Sequence, residues 1–181
     1  MMLRFSYSLF VASVIFFSSC HEDPKPLPSP PEQSQDQIKQ KLIQSHIMFV
    51  KQQTDEINQY VKQHNYTVQA TQTGIQYMIY NHGKGDLAKS GKVATVSYVI
   101  SLLNGTICYD SKKDGPKQFL IGEDEVESGV HQAVQLMHVG DKGLFIIPSY
   151  LANGLVGDRD KIPPGSIVIY DITLLAITDK K

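Results

Sequence analysis

Between Val93 and Leu103 apolar and polar residues alternate, with Ala94, Val96, Tyr98, Ile100 and Leu102 on every second position. Successive side chains of a strand point to opposite faces, so this stretch predicts a strand buried on one face. Asn104-Gly105 closes it with a dipeptide suited to a tight turn. Such a strand needs sheet neighbours and a cover for its apolar face. The period changes once downstream. Val130, Ala133, Val134 and Met137 fall at i, i+3, i+4 and i+7, the spacing of one helical face, in a short helix over Ser128–Val139 that ends near Gly140. Gly74–Tyr80, Phe119–Ile121, Leu144–Ile147 and Ser166–Ile177 read as further strands, the last two rich in branched residues. Pro148 stops the third of these, and Ile162-Pro163-Pro164-Gly165 introduces the fourth. Several strands around one helix predict an α+β domain with an antiparallel sheet over residues 71–178.

The N-terminus reads as an address. Arg4 precedes an apolar stretch, Phe5–Phe17, too short to span a membrane, so residues 1–19 are expected to be a secretory signal peptide. Phe17-Ser18-Ser19-Cys20 resembles a bacterial lipobox, which would make Cys20 a lipid-modified first residue. Acyl chains gain about 0.8 kcal/mol per buried methylene, so a multiply acylated Cys20 would tether the protein to a membrane. Five of the nine prolines fall between Pro24 and Pro31, and residues 20–34 read as an extended tether. From residue 35 to 65 an amphipathic helix is expected, because Ile43, Ile47, Val50, Ile57 and Val61 share an a/d register in which Thr54 fills the remaining slot. Two partners for that stripe stay open at this level: the chain's own domain, or a second copy in a homodimer through residues 43–61.

Charge and composition narrow the chemistry. Lys and Arg number 17 against 18 Asp and Glu, with no basic run, which argues against nucleic acid as a partner. Two cysteines make neither a disulfide scaffold nor a cysteine-based zinc site. The six histidines show no H-x-x-x-H spacing, and His131 and His138 lack a third ligand, so no metal is expected. The chain carries no nucleophile elbow and no phosphate-binding glycine loop, and calls for no cofactor. The acidic group Glu123, Asp124, Glu125 and Glu127 fits a solvated turn before a helix. Tyrosines and aliphatic residues around loops remain. They suit a reaction needing no nucleophile, acid or metal, such as rotation about a prolyl amide. Its barrier, about 18–20 kcal/mol, comes from resonance. The twisted amide is less charge-separated than the planar one, so an apolar, water-poor pocket favours it.

An ordered set of fragments then carries a resemblance. It comprises Val96-Ser97-Tyr98, Leu103-Asn104-Gly105-Thr106, Tyr109-Asp110-Ser111, Phe119-Leu120-Ile121-Gly122, and Glu125-Val126 with Gly129. Met137-His138-Val139-Gly140-Asp141-Lys142, Ile147-Pro148-Ser149, Leu151-Ala152, Ile162-Pro163-Pro164-Gly165-Ser166 and Tyr170-Asp171-Ile172 follow. Residues Val93–Ile177 resemble the FKBP-type peptidyl-prolyl cis-trans isomerase domain. With the lipobox, the chain looks most like the gliding-motility-associated lipoprotein branch of that family. The resemblance implies a five- to six-stranded antiparallel sheet wrapped around one short helix, here preceded by the N-terminal helix. It implies a proline pocket lined by Tyr98, Tyr109, Phe119, Val126, Val130, Ile162 and Tyr170. Asp110 would stand at the rim, and Tyr98, Asp110 and Tyr170 would be the catalytic set. The backbone N–H of Glu127 would hold a substrate carbonyl, with Ala152 and Asn153 on the facing loop.

Several positions depart from the family pattern. Val130 stands where a tryptophan floor is typical, Asn153 where a tyrosine hydroxyl reaches the substrate, and Lys117 and Lys161 where apolar side chains are usual. The turn before Tyr109 is one residue longer. Two functions follow as expectations: a membrane-tethered isomerase acting on proline-containing polypeptides in the bacterial envelope, or a binding module of the same fold acting as chaperone or assembly factor.

Overall fold

The computed structural model describes residues 34–123 and 126–180. The expected signal peptide, the lipidation site Cys20, nearly all of the tether, and Asp124 and Glu125 lie outside the described residues.

The first element is helix α1, Gln35–Gln63. Ser34 caps it by accepting the Gln37 N–H at 3.3 Å, and Asp36 and Lys62 sit at the ends where the helix dipole favours their charges. Twenty-nine residues make a rod of about 44 Å. Only its second half meets the domain. Ile57 is buried with Ile146, Ile167 and Ile169, flanked by Tyr60, Val61, Leu103 and Leu144. Full burial of a side chain such as Ile57 contributes about 1.5–3 kcal/mol. Ile43 and Ile47, on the same register, are 42% and 53% exposed. The stripe therefore continues past the edge of the surface that covers it.

Seven antiparallel strands follow: β1 (Gln69–Ala70), β2 (Gln76–Asn81), β3 (Lys92–Leu102), β4 (Ile107–Asp110), β5 (Lys117–Leu120), β6 (Lys142–Ile147) and β7 (Val168–Asp179). The sheet order is β1-β2-β6-β7-β3-β4, with β5 also paired to β3. One edge of the long β3 thus takes two short partners, β5 along Val93–Val96 and β4 along Val99–Ser101. Between them one helical turn, α2 (Ser111–Asp114), is capped by Asp110, which accepts the Lys112 N–H at 2.8 Å. The two-residue β1 adds a seventh strand to the five or six that the family resemblance implies.

Strand alternation divides β6 between two cores. Phe145 and Ile147 face the main core, while Leu144 and Ile146 face α1. Helix α3 (Ser128–Val134) packs Val130, Ala133 and Val134 into the main core against Phe119, Phe145, Ile147 and Tyr170. It is shorter than the expected Ser128–Val139, since the chain turns at Leu136 and Met137, yet Met137 remains fully buried. Close approach of α3 depends on Gly129, where a Cβ would lie 2.5 Å from an Ile147 methyl and 2.8 Å from the Leu151 carbonyl.

Two buried polar side chains fasten the connections. Gln53 of α1 accepts the Ser149 N–H at 2.8 Å and donates to the Gly165 carbonyl at 3.2 Å. Asp141, 2% exposed, accepts the Gly83 N–H at 2.6 Å and the His138 N–H at 2.7 Å. Each satisfies backbone groups that would otherwise be buried unpaired.

Candidate functional site

Alternation along β3 aims Val96, Tyr98 and Ile100 at one face. Their partners across the ladders continue it. Tyr170 of β7 stands opposite Ile100 and Ile172 opposite Tyr98, while Lys117 and Phe119 of β5 stand opposite Val96 and Ala94. Tyr109 reaches the same face through a bulge. It pairs with Ile100, but the next pair is Ser101 with Ile107, so Cys108 is an extra residue. The longer turn seen in the sequence is absorbed there, and Tyr109 keeps its inward aim.

The start of α3 and the loop between β6 and β7 complete a cavity of about 290 Å³. Its lining adds Val126, Glu127, Val130, Asn153, Asp158 and Ile162 to the strand residues. Nine positions expected at the pocket thus converge: Tyr98, Tyr109, Phe119, Val126, Glu127, Val130, Asn153, Ile162 and Tyr170. Ala152 packs against the main core instead, and Asp110 points its carboxylate at the first turn of α2. Asp110 still acts on the site at short range. Burial, then the charges of Asp114 and Asp110, push the Tyr98 hydroxyl above its usual pKa.

Polar groups sit on two sides of the cavity. On one, the Tyr109 hydroxyl donates to Asp158 at 2.5 Å and lies 3.3 Å from Asp160. Asp158 also accepts the backbone N–H groups of Asp160 and Ile162 at 2.9 and 2.8 Å. Burial opposes its ionisation, but these donors outweigh burial and hold the carboxyl below its usual range. The hydrogen bond to Asp158, burial and the Asp158 charge push Tyr109 far up. The Lys161 ammonium stands 4.4 Å from the centre of the Tyr109 ring, a cation–π contact.

On the other side, Glu127 occupies the N-cap position of α3 without capping it. Its carboxylate accepts the Asn153 side-chain N–H at 3.2 Å. Burial, followed by the charge of Glu127, raises the Tyr170 hydroxyl well above the ordinary tyrosine range. The Asn153 carbonyl oxygen is buried without a hydrogen-bond partner among the described residues.

These groups make an apolar slot with a polar rim. The nearby thiol of Cys108 is buried and its pKa is raised, by burial first and the Asp158 charge second, so it stays protonated and packs as a small apolar group. His131 accepts the Gly122 N–H through Nδ1 at 2.9 Å and stacks edge-on with Phe119, their centroids 5.6 Å apart. Sequence reasoning missed Asp158. The signal available for it was the D-x-D spacing of Asp158 and Asp160, which favours a side-chain-stabilised turn just before Ile162.

Comparison with known proteins gives the same picture from another direction. A sequence profile described as FKBP-type peptidyl-prolyl cis-trans isomerase matches residues 85–175. The protein named FKBP-type peptidyl-prolyl cis-trans isomerase FkpA from Aeromonas hydrophila is 36% identical over 110 residues, 61% of this chain and 40% of that protein. FK506-binding protein 2 of Dictyostelium discoideum is 42% identical over 91 residues, 49% of this chain and 68% of that one. Among solved structures, FkpA from Escherichia coli superposes with a TM-score of 0.60 at 25% identity, covering 82% of this chain and 75% of that chain. AtFKBP13 gives 0.59 at 28% identity, covering 61% and 98%. This chain spans 40–46% of the length of the first curated relatives that it matches.

Proposed function

The chain belongs to the FKBP-type peptidyl-prolyl cis-trans isomerase family, and from that premise we propose that it accelerates cis–trans exchange of X-Pro bonds in other polypeptides. The observation that carries this reading is the apolar slot between α3 and the sheet, walled by Tyr98, Tyr109, Phe119, Val126, Ile162 and Tyr170. A prolyl ring seated there leaves bulk water. The planar amide then loses hydration that its charge-separated form needs more than its twisted form does. Tyr98 and Tyr170 offer hydroxyl donors that stay protonated across the physiological range, and the Glu127 backbone N–H is the donor we assign to a substrate carbonyl. Asp110 acts as the rim group that sets the start of α2 and the electrostatics at Tyr98.

The protein acts, in this reading, on folding polypeptides in the bacterial envelope, tethered through Cys20. Uncatalysed X-Pro exchange takes tens to hundreds of seconds, slow enough to limit folding. Support for the tether is the Ser18-Ser19-Cys20 sequence followed by the proline-rich segment. Mass spectrometry of the membrane fraction tests it: a mature chain starting at an acylated Cys20 is expected, and a chain in which Cys20 is unmodified overturns it. Ile43 and Ile47 lie exposed on α1, and they support pairing of two copies through the part of the 43–61 register that the domain leaves uncovered. A monomer at every concentration in sedimentation equilibrium would sink that pairing.

A binding module without catalysis is the second reading. It is favoured by Asn153, whose donor is turned to Glu127, and by Val130 in place of a broad aromatic floor. Two-dimensional exchange NMR on X-Pro peptides separates the two. Acceleration that is lost on changing Asp110→Ala together with Tyr170→Ala supports the isomerase. Acceleration that survives both changes puts the site elsewhere, and none from a folded protein leaves the binding module.

A further inference from the structure

Lys117 is an inward-facing cation in an otherwise apolar wall. Its register partner is Val96, and two residues along β5 its neighbour on the same face is Phe119. All three line the cavity. Among the described residues no ion pair or hydrogen bond engages its ammonium. The cavity's two anions are differently placed. Asp158 is saturated by the Tyr109 hydroxyl and two backbone N–H groups, and Glu127 takes the Asn153 amide. Lys161 is spent on the Tyr109 ring. The lining therefore offers an incoming peptide one cation, Lys117, that has no ion pair or hydrogen bond of its own among the described residues.

We propose that Lys117 makes the pocket selective for peptides carrying a carboxylate side chain next to the prolyl residue. This rests on the isomerase-pocket reading above. A prolyl ring against Phe119 and Tyr170 puts its flanking side chains at the rim. A carboxylate there meets the ammonium, while a flanking lysine meets like charge in the same place. Lys117 is exposed, so the gain is that of a solvated pair and is screened by salt. Its worth is selectivity more than affinity.

Capped peptides that differ only in having Glu, Leu or Lys before or after the proline test this on the whole protein. Binding is read by NMR titration and exchange by two-dimensional NMR, at low and high salt. In at least one position the Glu peptide is expected to outbind the Lys peptide about two- to fivefold, and the preference should shrink with salt. Lys117→Met keeps the aliphatic stem and should abolish the preference, while Lys117→Arg should retain it. Thermal melts verify that both variants are folded. The inference is overturned if Lys117→Met keeps the wild-type ratio, if Lys peptides bind as well as Glu peptides, or if no peptide binds. Selective binding without faster exchange would sink the isomerase reading alone. Faster exchange without selectivity would sink this inference alone.

Discussion

The Tyr109 hydroxyl donates to the Asp158 carboxylate at 2.5 Å, joining β4 to the loop that precedes Ile162. A hydrogen bond to a charged group contributes about 1.5–3 kcal/mol when well shielded. This one is partly solvated, so Tyr109→Phe is expected to cost about 1 kcal/mol in urea unfolding. On the proposed isomerase reading, X-Pro exchange should slow severalfold, because the loop carrying Ile162 would lose its tie to β4.

The same carboxylate sets an acid dependence. Asp158 ionises at lower pH in the folded protein than in the unfolded chain. Its stabilisation is therefore complete above the unfolded value near pH 4 and is lost as pH falls through the lowered folded value. Thermal melts from neutral to strongly acidic pH should show this loss in the wild type, and a flatter curve in Asp158→Asn.

At alkaline pH the sign reverses. Burial, with the hydrogen bond and charge of Asp171, pushes Tyr80 up to about 12. The folded state favours the protonated phenol, so its contribution is whole below pH 10 and fades between about 10 and 12. Tyr80→Phe should keep more of its stability across that window. Tyrosinate absorbance of the native wild type should lag behind that of the denatured chain.

Gln53→Ala removes both bonds that seat α1. The Ser149 N–H would be buried without a partner, a loss of about 1–3 kcal/mol. Hydrogen exchange should quicken at Ser149 and along the second half of α1, while β3 and β7 keep their protection.

Gly83→Ala places a Cβ 2.2 Å from the Val139 carbonyl oxygen and 2.6 Å from the Gly140 carbonyl carbon. Both are backbone atoms of a segment fixed by the Gly85 N–H on the Val139 carbonyl at 3.0 Å and by the Gly140 N–H on the Leu174 carbonyl at 2.8 Å, so they cannot swing aside. The expected cost is about 1–3 kcal/mol, read as a lower melting temperature with an unaltered pocket.

The alternation of β3 and the helical spacing of Val130 to Met137 were legible in the sequence because each follows one period. The strand Ile107–Asp110 was not. It has four residues, one lies in a bulge, and it ends at a residue serving as a helix cap. In α1 the periodicity identified the apolar face correctly but not its cover. Ile43 and Ile57 share a register, and only the placement of Ile146, Ile167 and Ile169 decides that one is buried and the other exposed. At the cavity, nine of the residues that the resemblance implies converge, six of them within the matching fragments, which span the inner face in order. Asp158 escaped because its role depends on a tyrosine forty-nine positions away.

Gln53 grips the backbone at Ser149 and at Gly165, and between those two points runs the loop that carries Asn153, Asp158 and Ile162. A single side chain thus clasps both ends of one cavity wall. Thermodynamic reciprocity then applies: a guest that stiffens the wall tightens the seat of α1 by the same free energy by which seating α1 favours the guest. Tension on the chain ahead of α1 would be felt at the slot as slackening, and an occupied slot would resist the pull.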